Sequence, residues 1–454
     1  MSKSAWKTYQ EKELKEVETL SDGYKQFLDL GKTERECEQE AIRQAEAAGY
    51  INLQDVIDGK KEMQKKVYMA GMDKTVALFH LGKQPLEKGM KIVAAHIDSP
   101  RLDLKQNPLY EDGDMAYLDT HYYGGIKKYQ WVTLPLAIHG VVVKKDGTKV
   151  QVNIGEKPED PVVCVTDLLV HLSQEQLERK GSKVVEGEAL DLLVGNKPLE
   201  GAEKEAVKEQ ILALLKEQYD IEEEDFTSAE LEVVPAGKAK DCGLDRSMVM
   251  AYGQDDRVCA YGALAAILAI EDPDRTACCL LVDKEEIGSV GATGMKSRFF
   301  ENVVAELMDQ AGEYSELKLR RALANSQMLS VDVSSGYDPL YKNAFDKRNV
   351  AYLGRGMVLK KFSGSRGKSG ANDANAEYIG ELRKLFDDAD VTYQTAELGR
   401  VDLGGGGTIS YIAALYEMDV IDCGVAVLNM HAPWEVTSKA DLYESVKGYH
   451  AFLK

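Results

Sequence analysis

Histidine and acidic residues directly follow apolar, β-branched runs at four places in this chain. The segments are AAHIDSPRLD with His96 and Asp98, LLVDKEEIGS with Glu285 and Glu286, LSVDVSSGYDP with Asp332, and VAVLNMHAPWE with His431. Each apolar run has the pattern of a buried strand. In an open α/β sheet, ligands bind in the crevice at the carboxyl ends of the strands. The four segments are therefore predicted to bring these side chains to one cavity.

The residue types in these segments favour a metal site. Imidazole and carboxylate groups without thiolate suit zinc, cobalt or manganese in a hydrolytic centre. Asp98, two residues after His96, is placed to accept a hydrogen bond from the second ring nitrogen of a metal-bound histidine. The neighbours Glu285 and Glu286 can divide two roles, because one carboxylate can bind metal while the other takes a proton from water. Each residue alone is more typical of a strand-end cap, so the prediction depends on their convergence.

A fifth acidic segment is AYGQDDRVCAY, in which Asp255 and Asp256 precede a helical pattern that runs to Ile270. Aspartates at this position are often N-cap residues that accept hydrogen bonds from the first amides of a helix. They are also candidates for metal ligands if the helix begins at the same cavity. The local sequence leaves both interpretations open.

The elements around these segments predict an α/β fold with a mixed sheet between helical layers. Strand-like runs lie at 91–96, 278–283, 327–333 and 420–428, and helical periodicity is clear at 258–270, 376–385 and 440–453. In contrast, residues 137–155 contain two β-rich runs around Asp146 and Gly147, a strong hairpin signal. We therefore predict an inserted β-rich domain at 108–240, and a domain that carries the chemistry at 1–107 and 241–454.

Length and composition limit the classes of protein that need to be considered. The 454 residues exceed the usual size of one hydrophobic core, and the net charge of -20 disfavours nucleic acid as a partner. No apolar stretch is long enough to span a membrane, and the charged first thirty residues lack the pattern of a secretory signal. Seven scattered cysteines with no C-x-x-C pair favour a reducing compartment. A cytoplasmic location is expected.

Seven motifs occur in the order found in one family of peptidases. They are HIDSPRLDLK, the YGG after it, GQDDRVCAY, DKEEIGSVGATG, SVDVSSGYDP, GGGGTIS and MHAPWEV. From about residue 20 onwards the chain resembles the aspartyl aminopeptidase and vacuolar aminopeptidase I family of two-zinc metalloaminopeptidases. The GGGGT and MHAPWEV forms are more similar to the aminopeptidase I branch.

The resemblance implies a role for each residue at a matching position. His96 and Asp332 would hold one metal ion, Glu286 and His431 the other, and Asp255 would bridge both. Glu285 would be the general base, Asp98 would orient His96, and Asp256 and Arg257 would support them. His171, in DLLVHLSQ, is similar to a histidine of the family's inserted domain that contributes to the active site of a neighbouring subunit.

The implied activity is removal of N-terminal residues from peptides, by a water that bridges two divalent ions, with zinc, cobalt or manganese as candidates. The family also implies a tetrahedral dodecamer assembled through dimers that involve the inserted domain. Two alternatives remain open from the sequence. One is a two-metal deacylase that acts on small N-acyl amino acids, and the other is a silent scaffold with the same fold. The preferred N-terminal residue, acidic or neutral, is also open.

Overall fold

The computed structural model describes residues 3–454. The strands are β1 (Ile51–Asn52), β2 (Lys66–Gly71), β3 (Thr75–His80), β4 (Lys91–His96), β5 (Arg101–Asp112), β6 (Met115–Tyr123), β7 (Leu136–Val143), β8 (Lys149–Ile154), β9 (Cys164–Val165), β10 (Leu192–Gly195), β11 (Ala229–Pro235), β12 (Lys240–Cys242), β13 (Met248–Ala251), β14 (Ala277–Val282), β15 (Gln327–Val331), β16 (Ser334–Ser335), β17 (Met357–Lys360), β18 (Tyr393–Thr395), β19 (Asp419–Gly424), β20 (Ala426–Leu428) and β21 (Glu435–Ser438).

The α-helices are α1 (Glu11–Leu30), α2 (Glu34–Ala47), α3 (Leu53–Ile57), α4 (Gln174–Leu177), α5 (Ala206–Tyr219), α6 (Gln254–Leu268), α7 (Phe299–Gln310), α8 (Glu316–Ala324), α9 (Ala376–Asp388), α10 (Ser410–Ala414) and α11 (Lys439–Leu453). The predicted helical segments at 258–270, 376–385 and 440–453 correspond to α6, α9 and α11. Within residues 3–454, no helix combines the length and the apolar character that crossing a membrane requires.

The chain divides into two compact units. Among the described residues, the first comprises 3–98, 239–430 and 435–454, and the second comprises 99–238 and 431–434. The first unit contains a nine-stranded sheet and a five-stranded sheet, whereas the second contains a seven-stranded sheet. Mixed sheets combined with helices confirm the predicted α/β class.

The nine-stranded sheet has the order β1-β2-β3-β14-β4-β15-β19-β17-β18. Its centre is parallel, because β4 pairs in parallel with both β14 and β15, and β15 pairs in parallel with β19. Antiparallel pairs occur between β3 and β14 and between β17 and β19. The carboxyl ends of β14, β4 and β15 therefore lie side by side. This is the edge of the sheet at which the sequence places His96, the glutamate pair and Asp332.

Apolar residues alternate between the two faces of this sheet. In β4, Val93 and Ala95 belong to one hydrophobic core, whereas Ile92 and Ala94 belong to another. This follows from the two-residue period of a strand, since successive side chains point to opposite faces. Helices α1, α2, α6, α9 and α11 contribute to the first core, and α3, α7, α8 and α10 contribute to the second. The first unit is thus a three-layer α/β/α arrangement.

The second unit is built on an antiparallel sheet with the order β8-β7-β11-β5-β6-β10-β9. Strands β7 and β8 form the hairpin that the Asp146-Gly147 turn predicts, and Gly147 has a positive φ of 87°. The unit begins at Ser99 rather than at the predicted boundary of 108. The reason is that β5 extends from Arg101 to Asp112, and both of its halves pair with β6, across a register shift between Leu104 and Leu109.

Candidate metal centre and active site

His96 is the last residue of β4 and is fully enclosed, with 2% of its surface exposed. Its Nδ1 atom lies 3.0 Å from the backbone oxygen of Asp98 and 3.3 Å from the Asp98 carboxylate. Its Nε2 atom lies 3.3 Å from Oδ1 of Asp255. With Nδ1 held in this way, Nε2 is the ring nitrogen available to a metal ion.

Asp98 also organises the glutamate pair. After β14 the chain forms a short 3₁₀ turn at Glu285–Ile287. The backbone N–H groups of Glu285 and Glu286 donate to the two oxygens of the Asp98 carboxylate, at 3.1 and 3.2 Å. One buried carboxylate therefore sets the position of a histidine on β4 and of two glutamates after β14. The predicted orienting role of Asp98 is chemically consistent with this geometry.

Asp255 and Asp256 lie at the start of α6, which packs against β4. The N-cap residue of this helix is Gly253, and both aspartates depart from helical φ and ψ values. The N–H of Asp255 donates to Oε2 of Glu435 at 3.0 Å. Among the described residues, neither carboxylate oxygen of Asp256 accepts a hydrogen bond of normal geometry, although both are buried. These features separate the two aspartates from ordinary helix caps.

Asp332 directly follows β15, and its N–H donates to the backbone oxygen of Cys423 at 2.7 Å. A side chain on Gly424 would collide with the backbone oxygen of Asp332, so glycine is required where β19 passes this residue. The ammonium group of Lys360, which is buried, donates to the backbone oxygens of Asp332 and Val333, at 3.3 and 2.9 Å. Lys360 thus fixes the chain that directly follows the Asp332 side chain.

Two groups of side chains bring ligand atoms within 4.8 Å of one another. They are His96 with Asp256 and Asp332, and His96 with Asp255 and Glu286. The donors are one imidazole and several carboxylates, the set that zinc and similar divalent ions accept in hydrolytic sites. The buried, unsatisfied oxygens of Asp256 fit the same interpretation, because a buried carboxylate without a partner is costly. The residues present therefore fit a divalent metal centre.

The pKa values around this centre reflect its excess of negative charge. Burial raises the pKa of Glu285 to about 8, and the carboxylates of Asp332, Asp98 and Asp255 act in the same direction, while His96 opposes them. Burial also raises the pKa of Asp332 to about 6, against the opposing charge of Lys360.

The histidine responds in the opposite sense to the same carboxylates. Burial alone would lower the pKa of His96, but Asp255, Asp98 and Glu285 raise it well above its usual value. The site thus holds protons that bound cations would replace.

The two remaining histidines of the prediction lie in the second unit. His431 is half-buried with a φ of 64°, and its Nδ1 atom is 2.8 Å from the backbone oxygen of Gly125. It belongs to neither of the two groups within the described residues. His171 is exposed on a 3₁₀ turn at Val170–Leu172.

Sequence reasoning did not assign two residues that support the site. Glu435, which receives the Asp255 amide, is part of the MHAPWEV motif but has no local feature that marks it as a support. Lys360 follows the apolar run of β17, and a lysine at a strand end is ordinarily exposed. The pairing of β17 with β19 reveals the role of Lys360, and that pairing is not visible in the sequence.

The fold and the site define a metal-dependent peptidase of the α/β type, and comparisons identify the family. The family model "Aminopeptidase I zinc metalloprotease (M18)" matches residues 27–453. A probable M18 family aminopeptidase 1 from Clostridium acetobutylicum is 61% identical over 454 residues, which cover 99% of this chain and 98% of the relative. The chain therefore belongs to the M18 family of zinc aminopeptidases. The resemblance to the aminopeptidase I branch is confirmed.

Solved structures agree with this assignment. The crystal structure of an M18 family aminopeptidase from Thermotoga maritima has a TM-score of 0.96 and 44% identity, and the match covers 100% of this chain and 99% of that chain. The mApe1 dodecamer of S. cerevisiae shares the fold, with a TM-score of 0.76 and 20% identity over 96% of this chain and 97% of that chain.

We expect Asp98→Asn to weaken zinc binding by about 10- to 100-fold, the usual cost of removing a partner that orients a metal-binding histidine. The amide cannot accept both glutamate N–H groups and the His96 ring as the carboxylate does. Competition with a chromophoric chelator would measure the affinity, and Asp112→Asn, on the exposed end of β5, is the matched control. Equal zinc affinity in the two variants would contradict the organising role of Asp98.

Zinc binding should release protons, and zinc affinity should fall as the pH is lowered from about 8 to about 6. His96 and Glu285 have raised pKa values and therefore hold protons at neutral pH, whereas metal binding needs a neutral imidazole and ionised carboxylates. Lowering the pH through about 6 also protonates Asp332. Calorimetric titration in buffers of different ionisation enthalpy would count the protons. Binding without proton release would show that the site is already deprotonated.

Proposed function

We propose that this aminopeptidase uses two divalent ions, held by His96, Asp255, Glu286, Asp332 and His431, with zinc as the physiological metal and cobalt or manganese as substitutes. The clustering of buried carboxylates around one buried histidine supports this proposal most strongly. Asp255 is proposed as the bridging ligand because its Oδ1 lies close to Nε2 of His96, while Asp256 is the alternative carboxylate on the Asp332 side.

Glu285 is proposed as the general base. Its side chain is 15% exposed, and its Oε2 is 3.9 Å from Nε2 of His96, so the carboxylate faces the ligand cluster and still has access to solvent. Divalent ions bound at this site would polarise the scissile carbonyl group and lower the pKa of water. Glu285 would take the proton from the attacking water and pass it to the departing amine. Asp98 holds the Glu285 backbone during both transfers.

The substrates are proposed to be peptides with a free N-terminus. Family membership favours this activity over the two alternatives, a deacylase for small N-acyl amino acids and a silent scaffold. An intact candidate base beside a complete set of ligands also argues against a scaffold. A panel of aminoacyl-naphthylamides and N-acetyl amino acids separates the three functions, because only an aminopeptidase requires the free amine.

We expect Glu285→Gln to bind zinc as the parent does and to lose about 10²- to 10⁴-fold in kcat, the usual contribution of a general base. Turnover of aminoacyl-naphthylamides and metal content per subunit are measured together. Glu271→Gln makes the same chemical change at an exposed position and should retain full activity. Near-parental kcat in Glu285→Gln would exclude Glu285 as the base. Loss of zinc together with loss of activity would instead make it a ligand.

His171 is proposed to complete the active site of a neighbouring subunit. The residues beside it, Leu168, Leu169, Val170 and Leu172, are 46%, 53%, 70% and 67% exposed. Such an apolar patch on a surface is typical of a protein interface. The dodecamer of the S. cerevisiae relative supports a homo-oligomer, and we propose the tetrahedral dodecamer for this chain. In that assembly the His171 imidazole would donate to charge that develops on the scissile carbonyl oxygen.

Subunit mixing tests this role. His171→Ala should lower turnover by about a hundredfold, because one positioned donor is worth about 2.7 to 4 kcal/mol, while zinc content stays unchanged. Coexpression of His171→Ala with Glu285→Gln creates sites that combine an intact Glu285 with an intact His171. Those mixed oligomers should regain much of the parental activity. Mixed assemblies that stay as inactive as their parents would place His171 outside any shared site.

We also propose a cytoplasmic location. All seven cysteines are free thiols, and five of them are buried, which suits a reducing compartment.

A further inference from the structure

A cavity of about 710 Å³ lies at the β18 edge of the nine-stranded sheet, away from the metal ligands. Strands β19 and β17 separate β18 from β15, which carries Asp332. At the usual spacing of about 4.8 Å per strand, this places the edge roughly 14 Å from the nearest ligand-bearing strand. Four basic side chains and two tyrosines are prominent in its lining: Lys347, Arg348, Arg355, Arg383, Tyr352 and Tyr393.

The charge of this cavity is opposite to that of the whole chain. The chain has a net charge of -20, but Asp387 is the single acidic residue in the cavity lining. Within residues 3–454, none of the four basic side chains forms an ion pair, whereas Lys384, next to Arg383, pairs with Asp388. The guanidinium of Arg355 lies 4.2 Å from the centre of the Tyr352 ring, which orients it without neutralising it. The cavity lining therefore carries a net positive charge, with four basic residues against one acidic residue.

The cavity is also bordered by backbone groups that can form hydrogen bonds. Within the described residues β18 pairs with β17 alone, in parallel register. The backbone oxygen of Thr392 and the N–H of Ala396 bond to β17, at 3.1 Å each. Alternate residues of a parallel strand direct their backbone groups to the same neighbour. The N–H and C=O groups of Tyr393 and Thr395 therefore point away from the sheet, as a further strand would require.

We propose that this edge binds an extended acidic segment of another polypeptide, which adds to β18 as a new strand. Its main chain pairs with Tyr393 and Thr395, and its carboxylates pair with the basic side chains of the cavity. Main-chain pairing supplies affinity in such complexes, and side-chain pockets supply specificity. The strong negative charge of the chain as a whole would repel an acidic segment, so the local positive charge directs it to this edge.

The probe for this site is a short peptide of alternating glutamate and threonine with a C-terminal fluorescein. An N-terminal acetyl group removes the free amine, so binding is measured independently of hydrolysis. We expect saturable binding to the full-length protein by fluorescence anisotropy, and weakening as salt is raised. A lysine–threonine peptide of the same length should not bind. Absence of saturable binding by the acidic peptide would overturn the proposal.

Charge reversal on α9 provides matched variants. Arg383→Glu should weaken binding of the acidic peptide by about tenfold or more, because it places a like charge in the cavity. Lys384→Glu changes the net charge by the same amount at an exposed position of the same helix, outside the cavity lining, and should change binding by less than about twofold. Equal loss in both variants would show a general charge effect and would refute a defined site.

A second test asks whether the peptide's main chain forms hydrogen bonds with β18. An analogue with N-methyl groups at alternate residues keeps every carboxylate but cannot form the strand ladder, and it should bind about tenfold more weakly or worse. Equal binding of this analogue, or full competition by inorganic phosphate at the same charge concentration, would make the cavity a simple anion site. Loss of oligomers in Arg383→Glu, without peptide binding by the parent, would assign the edge to a second copy of the chain. Each of these results would contradict strand addition.

Discussion

The position of the active-site residues depends on one buried carboxylate, that of Asp98. An isolated carboxylate in a protein interior is very costly, and this one is stabilised because the Glu285 and Glu286 amides donate to it. The same group lies against the Nδ1 atom of His96. The ends of two parallel strands are thereby joined through a side chain, so the proposed base and the proposed ligands share one reference point. Strands β4 and β14, which lead to His96 and to the two glutamates, then fix the position of these residues relative to the rest of the site.

In the remainder of the site, acidic residues outnumber the buried basic residues. Two buried basic residues, Lys360 and Arg257, accompany seven acidic residues that belong to the site or adjoin it: Asp98, Asp255, Asp256, Glu285, Glu286, Asp332 and Glu435. Both act through the backbone: Lys360 binds the oxygens of Asp332 and Val333, and the Nε of Arg257 donates to the oxygen of Ile97. The protein thus orders the main chain around the ligands and leaves negative charge in the centre. Such an arrangement is stable only with protons or metal cations to balance it.

Much of the fold could be predicted because its signals are local. The strand before His96 ends at the predicted residue, and the helix after Asp255 follows from its periodicity. The second unit begins at Ser99, nine residues before the predicted boundary at 108, because β5 begins at Arg101 and its first half already pairs with β6. The contributions of Lys360 and Glu435 could not be predicted, since they depend on strand neighbours far apart in sequence. Candidate metal ligands and the candidate base can be recognised in the sequence more readily than the residues that position them.

The alternation of side chains along β4 has a consequence for how such an enzyme can change over time. The core on one face of the sheet includes α6, whose first turn carries the proposed bridging ligand Asp255, whereas helices α3, α7, α8 and α10 contribute to the core on the other face. Substitutions in the second layer can accumulate, be compensated by their neighbours and alter thermal tolerance while the ligand-bearing helix keeps its place. The sheet therefore separates a helical layer in which substitutions can accumulate from a helical layer whose position the active site constrains.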